Sequence, residues 1–352
     1  MKLLILTQKV DSADDNLGFF HRWIEEFAQK CESVVVICLY EGVHALPKNV
    51  HVLSLGKEKG PSHFKYLRRF YAYIWRERKN YDAVFVHMNP IYVVLGGVVW
   101  RALKKRIGLW YTHGSVSASL RLATILAHDI FTSTTESFRI QSNKTHIVGH
   151  GIDLERFIPS TEILPRDVLR VVTFGRISRV KGYETLIDAI RIVTERGTSI
   201  ILSIIGGPGT PDQVAYEKKL HDRVKELGLS EKITFVGPVP QKDILPYLHK
   251  AHVFVSASTT GALDKAPLEA MAAGLPVVTC NEGTLSVSVG RPGVVAFPQG
   301  DAQTLANALL QMAQRSDGEF QSLRVLVQKI ASEHRLQSLI ERMVGILNDA
   351  HI

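Results

Sequence analysis

Short β-branched apolar runs alternate along the chain with longer stretches whose apolar residues recur every three or four positions. In the first half the runs are Leu3–Leu6, Val34–Leu39, Val50–Leu55, Ala83–His87, Gly108–Thr112, Ile130–Ser133 and Thr145–Val148. Phe19–Cys31, Phe64–Lys79, Val93–Lys105 and Ser117–Ala127 lie between them and have the helical period. Strand and helix in repeated alternation predict a parallel sheet with both faces covered. The pattern lapses over Ile158–Pro165, where two prolines and no periodicity predict a linker between domains. It then restarts, with strands at Arg170–Phe174, Ile200–Ile205, Ile233–Val236, Val253–Ser256, Pro276–Thr279 and Val294–Ala296. Helices fit Gly182–Glu195, Gln213–Leu227, Asp243–His249, Pro267–Ala273, Ala302–Gln314 and the chain from Gln321 onward. The prediction is two doubly wound α/β domains, whose ligands bind outside the strand C-termini.

The length of 352 residues agrees with two domains of roughly 100–200 residues each. With 45% hydrophobic and 22% charged residues the composition is that of a packed protein rather than a disordered one. Cys31, Cys38 and Cys280 have no CxxC spacing, so neither a disulfide framework nor a structural zinc is expected, and the expected compartment is reducing. The apolar run in Met1–Thr7 is too short for a signal-peptide core and predicts a buried strand. The longest apolar run, Ile91 to Trp100, is half of the roughly 20 residues that a membrane-spanning helix needs.

The charge is uneven. Of the net +8, residues 57–79 and 101–106 contribute +10 and the rest of the chain −2. This points to an anionic partner met by residues 57–106, whether lipid headgroups, an acidic acceptor or nucleic acid, or else to a solvated helix face. Aromatic residues are interleaved with the cations, as in a stacking surface for RNA. However, Leu67, Phe70, Tyr71 and Ile74 fall at i, i+3, i+4 and i+7, which predicts the packed face of one helix.

Neither GxxxxGK[ST] nor a GxGxxG after a strand occurs, which disfavours a P-loop phosphotransferase and a nicotinamide dehydrogenase. No acidic or His-rich set has metal-ligand spacing, so no metal is expected. A different phosphate-binding arrangement follows the strand ending at Phe174. In Gly175–Gly182, Arg176 and Lys181 stand beside a helix start, where free amides already favour an anion. Further on, Pro267 opens a short helix that ends at Gly274, with Glu269 one turn inside it among apolar neighbours. A carboxylate so placed needs hydrogen-bond donors, which ribose hydroxyls supply; ordinary helix-dipole stabilisation is the plainer account.

The order of these segments, with Ile205–Pro208 and Phe235–Val239 between them, Gly149–Phe157 before and Gly300–Asp301 after, resembles the retaining glycosyltransferases of family four. The resemblance implies a GT-B fold, two doubly wound Rossmann-like domains facing across a cleft. It implies an acceptor domain over 1–157, a linker over 158–168 and a nucleotide-sugar domain over 169–334, with a last helix, 335–352, returning to the first domain. The implied reaction is metal-independent and cofactor-free transfer, of a hexose by expectation, from a nucleoside-diphosphate sugar to a glycan or lipid-linked acceptor. The expected location is the cytoplasm or the inner membrane face, with no nucleic-acid partner. Epimerisation or hydrolysis of a nucleotide sugar on the same fold is the nearer alternative, and a non-catalytic basic scaffold for membrane or RNA the more distant one.

By the same resemblance Arg176 and Lys181 neutralise the diphosphate, Glu269 binds ribose, and the backbone at Leu268 contacts phosphate. Gly207 and Val239 line the base and phosphate pocket. In the first domain Gly18, in the loop Asp14–Gly18, approaches the diphosphate, and His113 faces the donor sugar; His87 is a weaker candidate for the cleft. One position departs from the family. The segment that in the family opens with a sugar-binding glutamate reads Gly261, Ala262, Leu263, Asp264 here. Asp264 is then expected either to cap the following helix or to bind the donor sugar in place of that glutamate, with a neighbour such as Lys265 neutralising it.

Overall fold

The structure, a computed structural model, describes residues 1–14, 17–60, 62–288 and 290–349. Asp15 and Asn16 of the Asp14–Gly18 loop therefore lie outside the described residues, as do the last three residues of 335–352. The chain forms two compact units, one made of Met1–Gly151 with the chain from Leu336, the other of Ile152–Arg335. Residues 158–168 run along the second unit: the Arg166 guanidinium stacks on Phe320 at 3.9 Å, and Arg324 donates to the Ser160 carbonyl at 2.6 Å.

The first unit runs β1 (Lys2–Val10), α1 (Phe19–Lys30), β2 (Ser33–Glu41), β3 (Val50–Ser54), α2 (His63–Arg76), β4 (Ala83–His87), α3 (Pro90–Ala102), β5 (Arg106–Trp110), α4 (Ala118–Leu126), β6 (Asp129–Thr132) and β7 (Thr145–Ile147). All seven strands are parallel, in the order β3-β2-β1-β4-β5-β6-β7. The order reverses between β1 and β4. On one face α1 buries Phe20, Trp23, Ile24 and Phe27, the i, i+3, i+4, i+7 stripe of an amphipathic helix. On the other face α2, α3 and α4 bury Phe70, Ile74, Trp100 and Leu120.

The second unit repeats the scheme with β8 (Leu169–Phe174), α5 (Tyr183–Glu195), β9 (Ile200–Ile205), α6 (Pro211–Glu226), β10 (Ile233–Gly237), α7 (Leu245–His249), β11 (Val253–Ser256), α8 (Lys265–Ala272), β12 (Val277–Thr279), α9 (Glu282–Ser288), β13 (Val294–Ala296), α10 (Ala302–Gln314) and α11 (Asp317–Ser332). Its six parallel strands follow the order β10-β9-β8-β11-β12-β13, reversing between β8 and β11.

Several elements differ from the sequence expectation. The chain beyond Gln321 holds two helices, α11 and then α12 (Leu336–Asn348), and the latter belongs to the first unit. There Leu336, Leu339, Ile340, Met343 and Leu347 join α1 on one core. α9 is absent from the sequence reading because Gly, Thr and Ser are weak helix formers; Asn281 starts it by accepting the Thr284 amide at 2.8 Å. β5 stops at Trp110, since the Thr112 amide turns to the Met88 sulfur at 3.3 Å. On α2, Phe70 and Ile74 are buried as the stripe predicts, but Leu67 and Tyr71 remain 40% and 39% exposed, with the Tyr71 hydroxyl donating to the Leu95 carbonyl of α3 at 3.0 Å.

Replacing Leu339 by Ala empties a fully buried position shared by α12 and α1. It is expected to cost about 2–5 kcal/mol, read as a lower urea midpoint for the first unit, and an unchanged midpoint would mean that α12 adds nothing to this core.

Candidate functional site

In the second unit the loops after β8, β9 and β11 meet at the strand C-termini. The Gly175 amide donates to the Ile205 carbonyl at 2.9 Å, the Ile177 amide to Gly207 at 3.0 Å and the Gly206 amide to Gly237 at 2.8 Å. This lacing brings the backbones so close that a Cβ at Gly206 would run into the Gly175 carbonyl oxygen. Gly182, with φ +63°, begins α5, and a Cβ there would lie 2.5 Å from the Ala257 carbonyl oxygen. The Thr259 amide reaches the Val180 carbonyl at 2.8 Å, tying the β11 loop to the β8 loop.

Side chains follow from this backbone. Arg176 is exposed and forms no ion pair among the described residues. Lys181 donates from Nζ to Asp264 Oδ2 at 2.7 Å, both side chains being about four-fifths buried. Neither expected role of Asp264 accounts for this bond. Asp264 stands at the N-cap of α8, yet its carboxylate accepts no capping hydrogen bond. The reason lies in Pro267: it occupies the third helical position, whose amide an N-cap carboxylate would take, and it has no N–H. The neutralising partner is Lys181 rather than Lys265.

Lys265 lies one turn before Glu269 on α8, and the two interact electrostatically. Glu269 is 3% exposed, and its Oε1 accepts from Gln241 Nε2 at 2.5 Å. Arg156 Nη1 in turn donates to Gln241 Oε1 at 3.4 Å. Burial pushes the Glu269 carboxyl above its usual range, against the opposing pull of Lys265 and the Gln241 bond. Burial also draws the Lys265 ammonium down to about 7, outweighing Glu269 and Asp153. Sequence reasoning missed Gln241 and Arg156 and assigned Lys265 to Asp264 rather than to Glu269; the i, i+4 spacing of Lys265 and Glu269 was the one available signal.

The remaining candidates divide. Gly207 is buried against Pro238, and Val239 packs at the edge of the core beneath α8. Leu268 is fully buried. Gly261 has φ +73°, and Ala262 and Leu263 point inward, with the Ala262 carbonyl accepting from Asn281 Nδ2 at 3.0 Å. Of that segment Gly261, Ala262 and Leu263 are buried and Asp264 alone is partly exposed. Gly18 and His113 belong to the first unit. Gly18 directly precedes α1, where a Cβ would meet the Asp14 carbonyl oxygen. His113 is exposed, with Nδ1 accepting the Ser115 amide at 3.1 Å. His87 is a packing residue, buried and stacked on Phe20 at 3.9 Å, with Nδ1 3.3 Å from Thr7 Oγ1. Among the described residues no three His, Cys, Asp or Glu side chains are grouped to hold a metal ion, and no helix is long and apolar enough to cross a membrane.

Residues 169–315, which contain these loops, match the family described as glycosyl transferases group 1. This part of the chain is similar to that family. The chain is 31% identical over 176 residues to mannosylfructose-phosphate synthase of Agrobacterium fabrum, covering 46% of this chain and 38% of that protein. It is 30% identical over 181 residues to the amylovoran biosynthesis glycosyltransferase AmsK of Erwinia amylovora, covering 49% and 43%. The chain thus spans less than half the length of these curated relatives. Similarity to solved structures extends over the whole chain: HepE of Anabaena, crystallised with UDP and glucose, superposes with TM-score 0.79 at 18% identity, covering 99% of each chain. Sucrose-phosphate synthase from Thermosynechococcus elongatus gives 0.82 at 18% identity and the same coverage. These likenesses establish the GT-B fold, two Rossmann-like domains.

A double-mutant cycle with Lys181→Met and Asp264→Asn is expected to give a coupling of about 1 kcal/mol in urea unfolding without ligand, as for a partly buried ion pair. Strict additivity would mean that the pair is not formed in solution.

Proposed function

We propose that the protein is a retaining glycosyltransferase that moves a hexose from a nucleoside-diphosphate sugar to an acceptor held by the first unit. The observation that carries this reading is the laced set of loops at the β8, β9 and β11 ends, in the part of the chain that matches the family. In this reading the N-terminus of α5 and two cations, Arg176 and Lys181, meet the diphosphate. Arg176 binds the leaving diphosphate directly, and Lys181 joins it by exchanging Asp264 for a phosphate oxygen. The charge that grows on the departing nucleotide is met by fixed cations, so the transfer runs without a divalent metal. Glu269, already oriented by Gln241, accepts from the ribose hydroxyls, and the backbone of Leu268 contacts phosphate. The loop glycine Gly207 and Val239 line the base side, while Gly18 and His113 of the first unit serve the diphosphate and the sugar. HepE holds UDP and glucose, which supports a uridine nucleotide as donor.

The +10 of residues 57–79 and 101–106 supports work at the inner face of an anionic membrane, on a glycan or lipid-linked acceptor.

Thermal shift with UDP, GDP, ADP and their glucose conjugates tests the donor site: a ligand at 100 times its dissociation constant stabilises by about 2.7 kcal/mol. The uridine compounds are expected to shift the transition of the second unit with EDTA present. Arg176→Ala is expected to weaken UDP binding tenfold or more, and Asp264→Asn to strengthen it by freeing Lys181. A flat panel, or wild-type affinity in Arg176→Ala, would remove the diphosphate assignment; transfer restored only by magnesium would remove its metal independence.

A further inference from the structure

The first unit has a cavity of about 480 Å³ that the donor reading leaves unused. Its floor is Leu39 and Leu55; one wall is Leu67 and Phe70 of α2, and the other is Ile91 and Leu95 of α3. It exists because the apolar stripe on α2 is wider than the core beneath it: Phe70 packs, while Leu67 and Ile91 are left 40% and 41% exposed on facing walls. The volume is that of a small-molecule site, and most of the surface it exposes is apolar.

The rim is of the opposite character. Lys57 and His63 line the cavity, and among the described residues Lys57 forms no ion pair. Gln8 and Asn89 also line it, and neither side-chain amide makes a hydrogen bond among the described residues. Asn89 precedes α3 without capping it. Gln8 lies near the C-terminal end of β1 and Asn89 just beyond that of β4, beside the point where the strand order reverses. An apolar slot with an unpaired lysine, a histidine and two side-chain amides at its rim matches an amphiphile that has a hydrocarbon chain and an anionic head.

We propose that this cavity receives the hydrocarbon chain of a lipid phosphate, with Lys57 at the phosphate and Gln8 and Asn89 toward the polar group it carries. The assignment rests on the transferase reading: the lipid phosphate is the acceptor, and the cavity selects it over a free glycan. A hydrocarbon chain fills the slot between Leu67 and Ile91, whereas a bare sugar leaves those walls in water.

Farnesyl diphosphate is a soluble probe of this chemistry. Isothermal titration with UDP present at saturation, so that the second unit does not compete for the diphosphate, is expected to show one site. Leu67→Glu and Ile91→Glu, both at exposed positions, are expected to weaken binding at least tenfold, and Lys57→Ala severalfold. Farnesol is expected to bind more weakly than farnesyl diphosphate, and inorganic diphosphate not to compete. Circular dichroism and the UDP thermal shift, measured on the same samples, show whether each variant is folded and test the donor reading separately. Loss of the UDP shift with lipid binding intact would sink the donor site and leave the cavity assignment standing. Wild-type lipid affinity in both glutamate variants, or equal binding of inorganic diphosphate, would overturn the proposal. So would a Leu67-dependent dimer in sedimentation velocity, or pelleting with phosphatidylglycerol vesicles by a protein that ignores farnesyl diphosphate.

Discussion

A parallel sheet must be covered on both faces, and in the first unit the crossovers do not suffice. The turns of chain through α2, α3 and α4 all lie on one face, as right-handed connections toward β4, β5 and β6 require. On the other face β2 joins β3 without a helix, so α1 alone covers seven strands from within the first 151 residues. The uncovered part is over β5 and β6, and there α12 packs after the chain has built the whole second unit. The fit is specific: Gly108 on β5 has no side chain where a Cβ would lie 2.9 Å from Leu347 Cδ2 of α12. The apolar burial that completes one sheet is therefore supplied from the far end of the chain.

The second unit meets its own constraint in backbone rather than in side chains. Close approach at Gly175, Gly182 and Gly206 lets three loops share hydrogen bonds that would otherwise be taken by solvent. Loops laced in this way hold their backbone in place before a ligand arrives, which reduces the ordering cost of binding. The same tightness leaves few side chains accessible, and two of them, Lys181 and Asp264, are bound to each other.

Much of this was legible in the sequence, for physical reasons that differ by element. Strands such as Ala83–His87 and Val253–Ser256 were found to the residue, because an apolar run bounded by polar neighbours has one way to pair. The phosphate-loop candidates were legible because Arg, Lys and Gly stand in fixed order between a strand and a helix. What was not legible depends on contacts between distant residues. The partner of Asp264 is 83 residues away, Gln241 lies 28 residues from Glu269, and no local rule selects Lys181 over the adjacent Lys265. The half-exposed stripe on α2 was misread for the related reason that periodicity shows which residues share a face, but not whether anything covers it.

The bond between Lys181 and Asp264 has a consequence for the proposed donor. In the family the sugar-binding carboxylate opens this segment; here Gly261 takes that place and the carboxylate sits three residues later, held by the cation expected to bind diphosphate. A diphosphate that takes Lys181 must therefore displace a carboxylate only about one-fifth exposed, which needs new hydrogen-bond donors or pays its desolvation unaided. A bare nucleoside diphosphate brings acceptors and no hydroxyls near that carboxylate, whereas the sugar of an intact donor brings hydroxyls. The cost of freeing Lys181 is then offset only when the sugar is present. In the proposed reading, placing the carboxylate at Asp264 thus favours the substrate over the nucleotide product, because only the hydroxyls of the sugar compensate the carboxylate that Lys181 leaves.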